Sequence, residues 1–555
     1  MRSKLLFLFV LSLLTSIVQA QTFTNPILAG GYPDPSVCYV DGTFYMANSS
    51  FEYFPGLPIH KSKDLVNWDL IGHGLNREEQ VNGAINLLDV QANGGIYAPS
   101  FRYFDGTFYL VTTNVYKDPE TKKTGATSFI LTAENPEGPW SNPHLIEGAP
   151  GIDPDIFFDD DGTVWYIGMH EPKNKAFDGE REIWIQELDV NNFSLKGERH
   201  FLWRGACGGV WAEGPHIYKK DNNYYLMIAE GGTSYNHAVM VAKSDRIQGP
   251  YTANKRNPIL SARQLSYDNW INSTGHGDLI ELADGRWYVV LLGIRGDLNR
   301  RSNMGRETHI APVIWEREPY DTKYLWPVIA PETGKIERLN PQIFSTVTSQ
   351  KSTSFKDDFD KKALDLQWTF VRVPMSRMYE LNNEQNEMRL YAHPNIISPR
   401  KRAHFMGIKQ TESDFEFSAR MRFSPKKNNV DVGLVLFQKD NNYIQYTIRK
   451  QQEKYVLQVS MKLPNELVVR QEQIKNYTGA ITLSVSSKEN QYHYHYSIDN
   501  SEAILFASTE AHHLLSKGFT GAHLGVYATS NGQTTTDYVD IEWVNYQANK
   551  RDLNK

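Results

Sequence analysis

Three acidic residues recur at nearly equal distances before a tight-turn sequence. Asp34, Asp153 and Glu213 lie 8, 9 and 10 residues before the second residue of such a turn. Carboxylates that converge on one cavity repel one another and raise one another's pKa, so a cluster of three is costly unless it has a function. Cleavage of a glycosidic bond needs two carboxylates, one to protonate the leaving oxygen and one to activate water or attack carbon. The spacing therefore predicts an acid-base site for this chemistry.

Taken singly, each of these residues has a plainer interpretation. Asp-Pro pairs, as at Asp34 and Asp153, often only start turns, and Glu-Gly-Pro at Glu213 is more often a loop. Tyr97 and His276 each lie 9 residues before their own turn, and a lone histidine is more often a hydrogen-bonded core residue. Residues that only form turns or the core need not recur at a fixed distance from each turn, so the nearly equal offsets favour a shared site.

The repeat itself predicts the fold of the first part of the chain. A turn followed by an aromatic-rich strand occurs five times at intervals of 64, 56, 61 and 62 residues. The turns begin at Asp41, Asp105, Asp161, Asn222 and Asp284. A unit of about 60 residues with several strands matches one four-stranded blade with its loops. We therefore expect a five-bladed β-propeller over residues 22–345, with the strand before each turn innermost.

A second domain is expected after a short polar linker. Residues 346–354 have no apolar period, and alternating segments such as 415–423, 443–448 and 536–544 follow them. Alternation of apolar and polar residues is typical of half-buried antiparallel strands. We expect a β-sandwich over residues 355–548 and an all-β protein overall.

Composition excludes some classes of function. The 555 residues carry 58 basic and 64 acidic side chains, a net charge of −6, which argues against nucleic-acid binding. Aromatic residues make up 12% of the chain, which favours strands and suits a sugar ligand. The two cysteines, Cys38 and Cys207, are too few for a Cys-rich metal site, and whether they pair is open.

The first twenty residues resemble a signal peptide. Arg2 and Lys4 precede an apolar run over 5–18, and Val18-Gln19-Ala20 offers a small-residue cleavage site. No other stretch approaches 18 apolar residues, so no membrane span is expected. We expect export to the periplasm or the extracellular space.

Several motifs in order resemble glycoside hydrolase family 43, the five-bladed propeller β-xylosidases and α-L-arabinofuranosidases. These motifs are Tyr32-Pro33-Asp34-Pro35-Ser36, Ser50-Phe51-Glu52-Tyr53-Phe54-Pro55-Gly56, His60-Lys61-Ser62-Lys63-Asp64-Leu65-Val66-Asn67-Trp68, Glu213-Gly214-Pro215-His216 and Gly305-Arg306-Glu307-Thr308. The second domain, which opens with Asp357-Asp358-Phe359-Asp360, resembles the concanavalin A-like sandwich of the β-xylosidase branch. The resemblance implies an inverting, exo-acting hydrolase that removes a pentose from oligosaccharides of plant polysaccharides.

The resemblance also implies roles for individual residues. Asp34 would be the general base, Glu213 the general acid, and Asp153 the residue that orients the acid and tunes its pKa. Arg306 would lie near the sugar hydroxyls and Phe51 in the first subsite. No cofactor is implied as required, but His276 matches a histidine at the channel centre that in some members binds a calcium ion or its water.

The chain departs from the family's sequence pattern at two places, and one alternative function stays open. Tyr97-Ala98-Pro99-Ser100 replaces a Trp-Ala-Pro-Asp segment of the sugar pocket, which leaves the choice between xylose and arabinofuranose undecided, and Asp155 has no assigned role. A non-catalytic alternative is a propeller lectin with a sugar-binding sandwich. We further expect the sandwich to pack on the propeller, with a loop near 530–533 helping to wall the pocket.

Overall fold

The computed structural model describes residues 21–206, 210–319, 321–345, 349–463, 465–499 and 501–549. The expected signal peptide, Cys207 and part of the expected linker lie outside these residues. Within them, regular structure is almost entirely β-strand, with two short 3-10 helices, Glu78–Gln80 and Ala511–Leu514. The described part of the chain has no helix with the length and apolar character needed to cross a membrane.

Five antiparallel sheets form the blades of a propeller, which confirms the predicted fold class. Blade 1 consists of Ser36–Val40, Thr43–Ala47, Gly56–Ser62 and Asp69–Leu75; blade 2 of Gly95–Ile96, Ser100–Phe104, Thr107–Lys117, Thr124–Ala133 and His144–Leu145. Blade 3 consists of Asp155–Phe158, Val164–His170, Glu182–Asp189 and Ser194–Trp203; blade 4 of Glu213–Lys220, Asn223–Glu230, Ala238–Ser244, Thr252–Ala253 and Leu260–Ser261. Blade 5 consists of Asn272–Glu281, Trp287–Ile294, Glu307–Glu318 and Asp321–Ile329. Each predicted turn joins the first long strand of a blade to the next.

The strands before the five turns line the central channel. Each contacts the corresponding strand of both neighbouring blades, so that the strands starting at Ser36, Ser100, Asp155, Glu213 and Asn272 form a closed ring. The ends of the propeller are joined by pairing of Thr22–Thr24 with Leu339–Pro341. This ring brings residues that are far apart in the chain to one channel mouth.

Two eight-stranded antiparallel sheets form the second domain. One contains Phe355–Asp357, Tyr379–Asn382, Glu387–Tyr391, Asp414–Arg422, Ala480–Lys488, Gln491–Ile498, Ile504–Glu510 and Tyr538–Asn549. The other contains Thr369–Val371, Phe405–Lys409, Asp431–Lys439, Asn442–Gln451, Lys454–Leu463, Asn465–Gln473 and His523–Thr529, and its eighth strand is Tyr53–Phe54 from the propeller.

The propeller and the sandwich share a sheet edge and a core. Phe54 pairs with Phe370 across the domain boundary. One continuous cluster of buried apolar side chains includes Leu57 and Phe101 of the propeller and Leu434 of the sandwich. Contacts of this kind hold the sandwich directly against the propeller, as the short linker predicted.

Candidate active site

The three predicted carboxylates line one cavity at the mouth of the channel. Asp34 and Asp153 each lie two residues before the innermost strand of their blade, and Glu213 is the first residue of its strand. The cavity has a volume of about 380 Å³. Its lining contains all seven residues that the sequence assigned to the site: Asp34, Phe51, Tyr97, Asp153, Glu213, His276 and Arg306.

In four of the blades, the backbone at the channel mouth has a positive φ angle. Asp34, Asp153 and His276 have positive φ angles of 51°, 53° and 49°, and Gly214, next to Glu213, has a φ of 56°. Asp and His enter the left-handed region more readily than most residues with a Cβ. Backbone conformation kept in phase with the repeat agrees with the equal offsets seen in the sequence.

Asp34 is almost fully buried and accepts a hydrogen bond from a hydroxyl group. Ser49 Oγ donates to Asp34 Oδ2 at 2.5 Å. On the other carboxylate oxygen, His276 Nδ1 lies 3.6 Å away and Arg306 Nη1 lies 3.8 Å away. These contacts hold the carboxyl group in one orientation, and a carboxylate placed in this way can accept a proton from water.

The carboxyl groups of Glu213 and Asp153 both have raised pKa values. Burial raises the pKa of Glu213 to about 7, with the charge of Asp34 adding to the effect and that of Arg306 opposing it. Burial and the negative charge of Glu213 raise the pKa of Asp153 well above its usual range, although the Gly214 backbone amide donates a hydrogen bond to it. A carboxyl group protonated near neutral pH can serve as a general acid.

Aromatic rings and Arg306 line another part of the cavity. The ring centroids of Phe51 and Tyr97 lie 5.4 Å apart, and both rings contact Phe519, at 5.5 and 6.3 Å. The Arg306 guanidinium carbon lies 4.1 Å from the centroid of the Phe519 ring. Phe519 belongs to the sandwich, so the second domain supplies part of the cavity wall.

The prediction that residues 530–533 form this wall is wrong. Asn531 donates hydrogen bonds to Asn429 and Asp431 within the sandwich. That loop follows the strand His523–Thr529, whereas Phe519 lies just before the same strand, on a segment bonded to the propeller through Ala522 N and Asn303 O. The sequence identified a suitable strand connection but could not show which end of the strand faces the propeller.

An ion-pair network joins the innermost strands of blades 2, 3 and 5. Arg102 lies 2.7 Å from Asp155 and 3.0 Å from Asp278, and Tyr218 donates a hydrogen bond to Asp278 at 2.6 Å. Asp155, which had no assigned role, therefore pairs with Arg102 at the centre of the ring. Arg102 is a residue that the sequence analysis missed, since it is not in phase with the acids.

The same network affects whether the channel can bind the calcium ion that the family resemblance allows. Calcium takes six to eight oxygen ligands, and the carboxylates of Asp155 and Asp278 are already paired with Arg102. Burial lowers the pKa of His276 to about 4, so its ring is neutral at neutral pH. No group of three His, Cys, Asp or Glu side chains among the described residues is placed to hold a metal ion. The donor set does not fit calcium here, and the ion stays an untested prediction.

Three carboxylates and an arginine at the mouth of a propeller channel are the groups that hydrolysis of a glycosidic bond requires. Residues 23–319 match the model of glycosyl hydrolases family 43, and residues 356–547 match the beta xylosidase C-terminal concanavalin A-like domain. The chain belongs to glycosyl hydrolase family 43, and the protein is an O-glycosyl hydrolase.

Relatives and solved structures cover nearly the whole chain. It is 36% identical over 537 residues to a xylosidase/arabinosidase of Butyrivibrio fibrisolvens, with 94% of this chain and 98% of the relative aligned. It is 35% identical to the non-reducing end alpha-L-arabinofuranosidase BoGH43B of Bacteroides ovatus, over 95% of both chains. The structure of GH43B from a Bacteroides ovatus xyloglucan PUL superposes with a TM-score of 0.83 at 34% identity, covering 95% of this chain and all of that one. A xylan beta-1,4-xylosidase from Bacillus halodurans gives a TM-score of 0.84 at 28% identity with the same coverage.

Proposed function

We propose that the protein is an exported, exo-acting and inverting glycosidase. It releases a terminal β-D-xylose or α-L-arabinofuranose from oligo- or polysaccharides of the plant cell wall, such as xylan fragments. The observation that carries the proposal is the cavity in which Asp34, Glu213 and Phe519 meet. A channel mouth partly walled by a second domain suits one terminal sugar ring better than an internal stretch of chain.

Glu213 and Asp34 carry out the two proton transfers of the reaction. Glu213, whose pKa is raised to about 7, gives its proton to the leaving oxygen. Asp34 takes a proton from a water molecule, and this water attacks the anomeric carbon from the opposite face of the sugar. The C–O bond to the leaving group breaks as the new C–O bond forms, so the product has inverted configuration.

The remaining residues position the reacting groups. Asp153 accepts a hydrogen bond from the Gly214 amide, which fixes it beside the acid, and the negative charge of Glu213 hinders loss of a proton from Asp153. Arg306 lies between the base and the Phe519 ring, where it can donate hydrogen bonds to sugar hydroxyls. Phe51 and Tyr97 offer apolar faces to the bound ring.

The relatives' names support both pentoses, since they include xylosidase/arabinosidase and alpha-L-arabinofuranosidase. Tyr97 contacts both Phe51 and Phe519, so it is part of the wall that would distinguish a pyranose from a furanose. The lectin alternative does not explain why three carboxylates share one cavity, and membership of a hydrolase family argues against it.

The test is a panel of substrates with the products identified. The nitrophenyl glycosides of β-D-xylose and α-L-arabinofuranose and matching oligosaccharides are incubated with enzyme, and released sugars are separated by chromatography. We expect free pentose as the first product. Proton NMR of the initial product should show the anomer opposite to that of the substrate. Retained configuration would contradict the inverting mechanism, and early release of internal fragments would contradict exo action.

A further inference from the structure

An exposed tryptophan lies at the mouth of the cavity, two residues before the proposed acid. Trp211 lines the cavity together with Glu213, yet 41% of its surface is exposed. Its φ angle is 50°, in the left-handed region. A bulky residue in this region is a true outlier, and such strain concentrates at functional sites. Neither its exposure nor its backbone conformation is explained by packing of the core.

Two glycines lie close to the indole ring. A Cβ added to Gly179 would lie 2.9 Å from the ring, and one added to Gly232 would lie 2.8 Å from it. Both glycines have positive φ angles, and the Trp211 amide donates a hydrogen bond to the Gly179 carbonyl at 2.7 Å. The two glycines let backbone approach the indole ring closely and restrict its orientation, while the exposed part of the ring stays open to the cavity mouth.

The position of Trp211 indicates which part of a substrate it would meet. Gly179 lies on a loop of blade 3, and Gly232 follows the second strand of blade 4, the blade that begins with Glu213. The rings of Phe51 and Tyr97 instead belong to blades 1 and 2 and contact Phe519. Trp211 is thus on the acid's side of the cavity, and an acid faces the leaving oxygen.

We infer that Trp211 is the platform for the first sugar ring of the leaving group. This inference deepens the proposed function and rests on it. A pyranose ring presents an apolar face of C–H groups that stacks on a flat aromatic side chain, so the substrate class is a pentoside whose leaving group is a pyranosyl unit. Trp211 would act on specificity and not on proton transfer, since Glu213 supplies the proton.

The experiment compares two leaving groups that both need a proton but differ in size. One substrate is the methyl glycoside of the released pentose, and the other is a disaccharide of the same pentose, such as xylobiose or an arabinofuranosyl-xylose. Trp211→Ala should lower kcat/KM on the disaccharide by about tenfold, a typical value for loss of one aromatic contact. It should leave kcat/KM on the methyl glycoside, and the pH profile, within about twofold of the wild type.

Further variants separate the platform from structural effects. Trp211→Phe keeps a flat ring and should retain most disaccharide activity. Trp211→Leu keeps an apolar side chain beside Gly179 and Gly232 without a flat ring, and should behave like Trp211→Ala. Phe201→Ala is the matched control, because Phe201 is 53% exposed on the outer strand of blade 3. Phe201→Ala should leave kcat/KM unchanged on both substrates.

Each other outcome has a defined meaning. Equal losses on the methyl glycoside and the disaccharide in Trp211→Leu would overturn the inference, because they would show that Trp211 only positions Glu213. Unchanged activity of this variant on both substrates would also overturn it. A wild-type enzyme that cleaves neither class of pentoside would contradict the proposed function itself, which distinguishes the two failures.

Discussion

The side-chain ammonium group of Lys409, in the sandwich, donates a hydrogen bond to the backbone carbonyl of Gly31, in the propeller. Gly31 lies three residues before Asp34, and Lys409 Nζ also lies 4.0 Å from the centroid of the Tyr32 ring. A second link is Arg295, which pairs with Glu307 at 2.7 Å and with Glu412 of the sandwich at 2.9 Å. The sandwich therefore contacts the segments that carry Asp34 and Arg306.

Lys409 should make stability depend on pH. Burial lowers its pKa from 10.5 to about 7 in the folded protein. Between these values the unfolded chain binds more protons, so the free energy of unfolding rises with pH, and the cost of burying the charge is complete below pH 7. Lys409→Met should remove this contribution, which is at most about 1.4 kcal/mol per pH unit. Melting temperatures measured from pH 6 to 9 test this, with exposed Lys351→Met as control. Parallel curves for wild type and Lys409→Met would contradict it.

Glu213→Gln should reduce activity in proportion to the leaving group's need for a proton. We expect a loss of about 10²–10⁴-fold in kcat/KM on disaccharides and a much smaller loss on dinitrophenyl pentosides. In the wild type, kcat/KM on disaccharides should fall above about pH 7, where Glu213 loses its proton, and the variant should lack this decline. An equal loss on both kinds of substrate would exclude Glu213 as the acid.

Asp34→Asn should abolish turnover whatever the leaving group. The amide of asparagine cannot accept the proton of the attacking water, and an activated leaving group does not replace that step. The side chain keeps its size, so its contacts with Ser49 and Arg306 should permit normal folding. Rates on disaccharides and dinitrophenyl pentosides are compared with those of Glu213→Gln. Substantial activity on the activated substrate would contradict the role of base.

Asp153→Asn should shift the pH dependence. Asp153 and Glu213 lie close enough that the charge of one hinders proton loss from the other. With only one ionisable group left, the acid loses its proton more readily, so the basic limb of kcat/KM should move to lower pH. The rate should also fall, because the acid is less well oriented. A pH profile of kcat/KM with both limbs unchanged would show that Asp153 does not influence the pKa of the acid.

The sequence predicts those parts of the site that follow from the repeat. Asp34, Asp153 and His276 share both an offset from the turn and a left-handed backbone, so the periodicity of the chain reflects the symmetry of the ring. Phe51 and Arg306 are not in phase and were identified through the family resemblance alone. Periodicity within one domain cannot locate Phe519, since its position depends on how two separately encoded domains pack.

Trp211 and Arg102 were missed for a different reason. Trp211 lies only two residues from Glu213, yet nothing in the local sequence shows that its ring is exposed or that it lies close to Gly179 and Gly232, which are 53 residues apart. Arg102 pairs with carboxylates of blades 3 and 5, contacts that appear only when the ring closes. Both cases depend on contacts between distant segments, which local patterns do not encode.

Phe519→Ala in the full-length protein tests the contribution of the sandwich to the pocket. The ring contacts Phe51, Tyr97 and Arg306, so its loss should open the cavity and weaken binding of the terminal sugar. We expect KM to rise by about tenfold with a smaller change in kcat, since Phe519 is not placed to transfer a proton. Steady-state kinetics on disaccharides provide both values.

Asn531→Ala is the matched control for Phe519→Ala, because the Asn531 side chain donates hydrogen bonds to Asn429 and Asp431 of the sandwich. Its KM should equal that of the wild type. Deletion of residues 350–555 should be more severe, since it removes the strand that pairs with Phe54 and exposes a core shared with Leu57 and Phe101. The fragment should therefore unfold or bind its substrate poorly. A well-folded fragment with full activity on disaccharides would show that the sandwich neither walls the pocket nor supports the propeller.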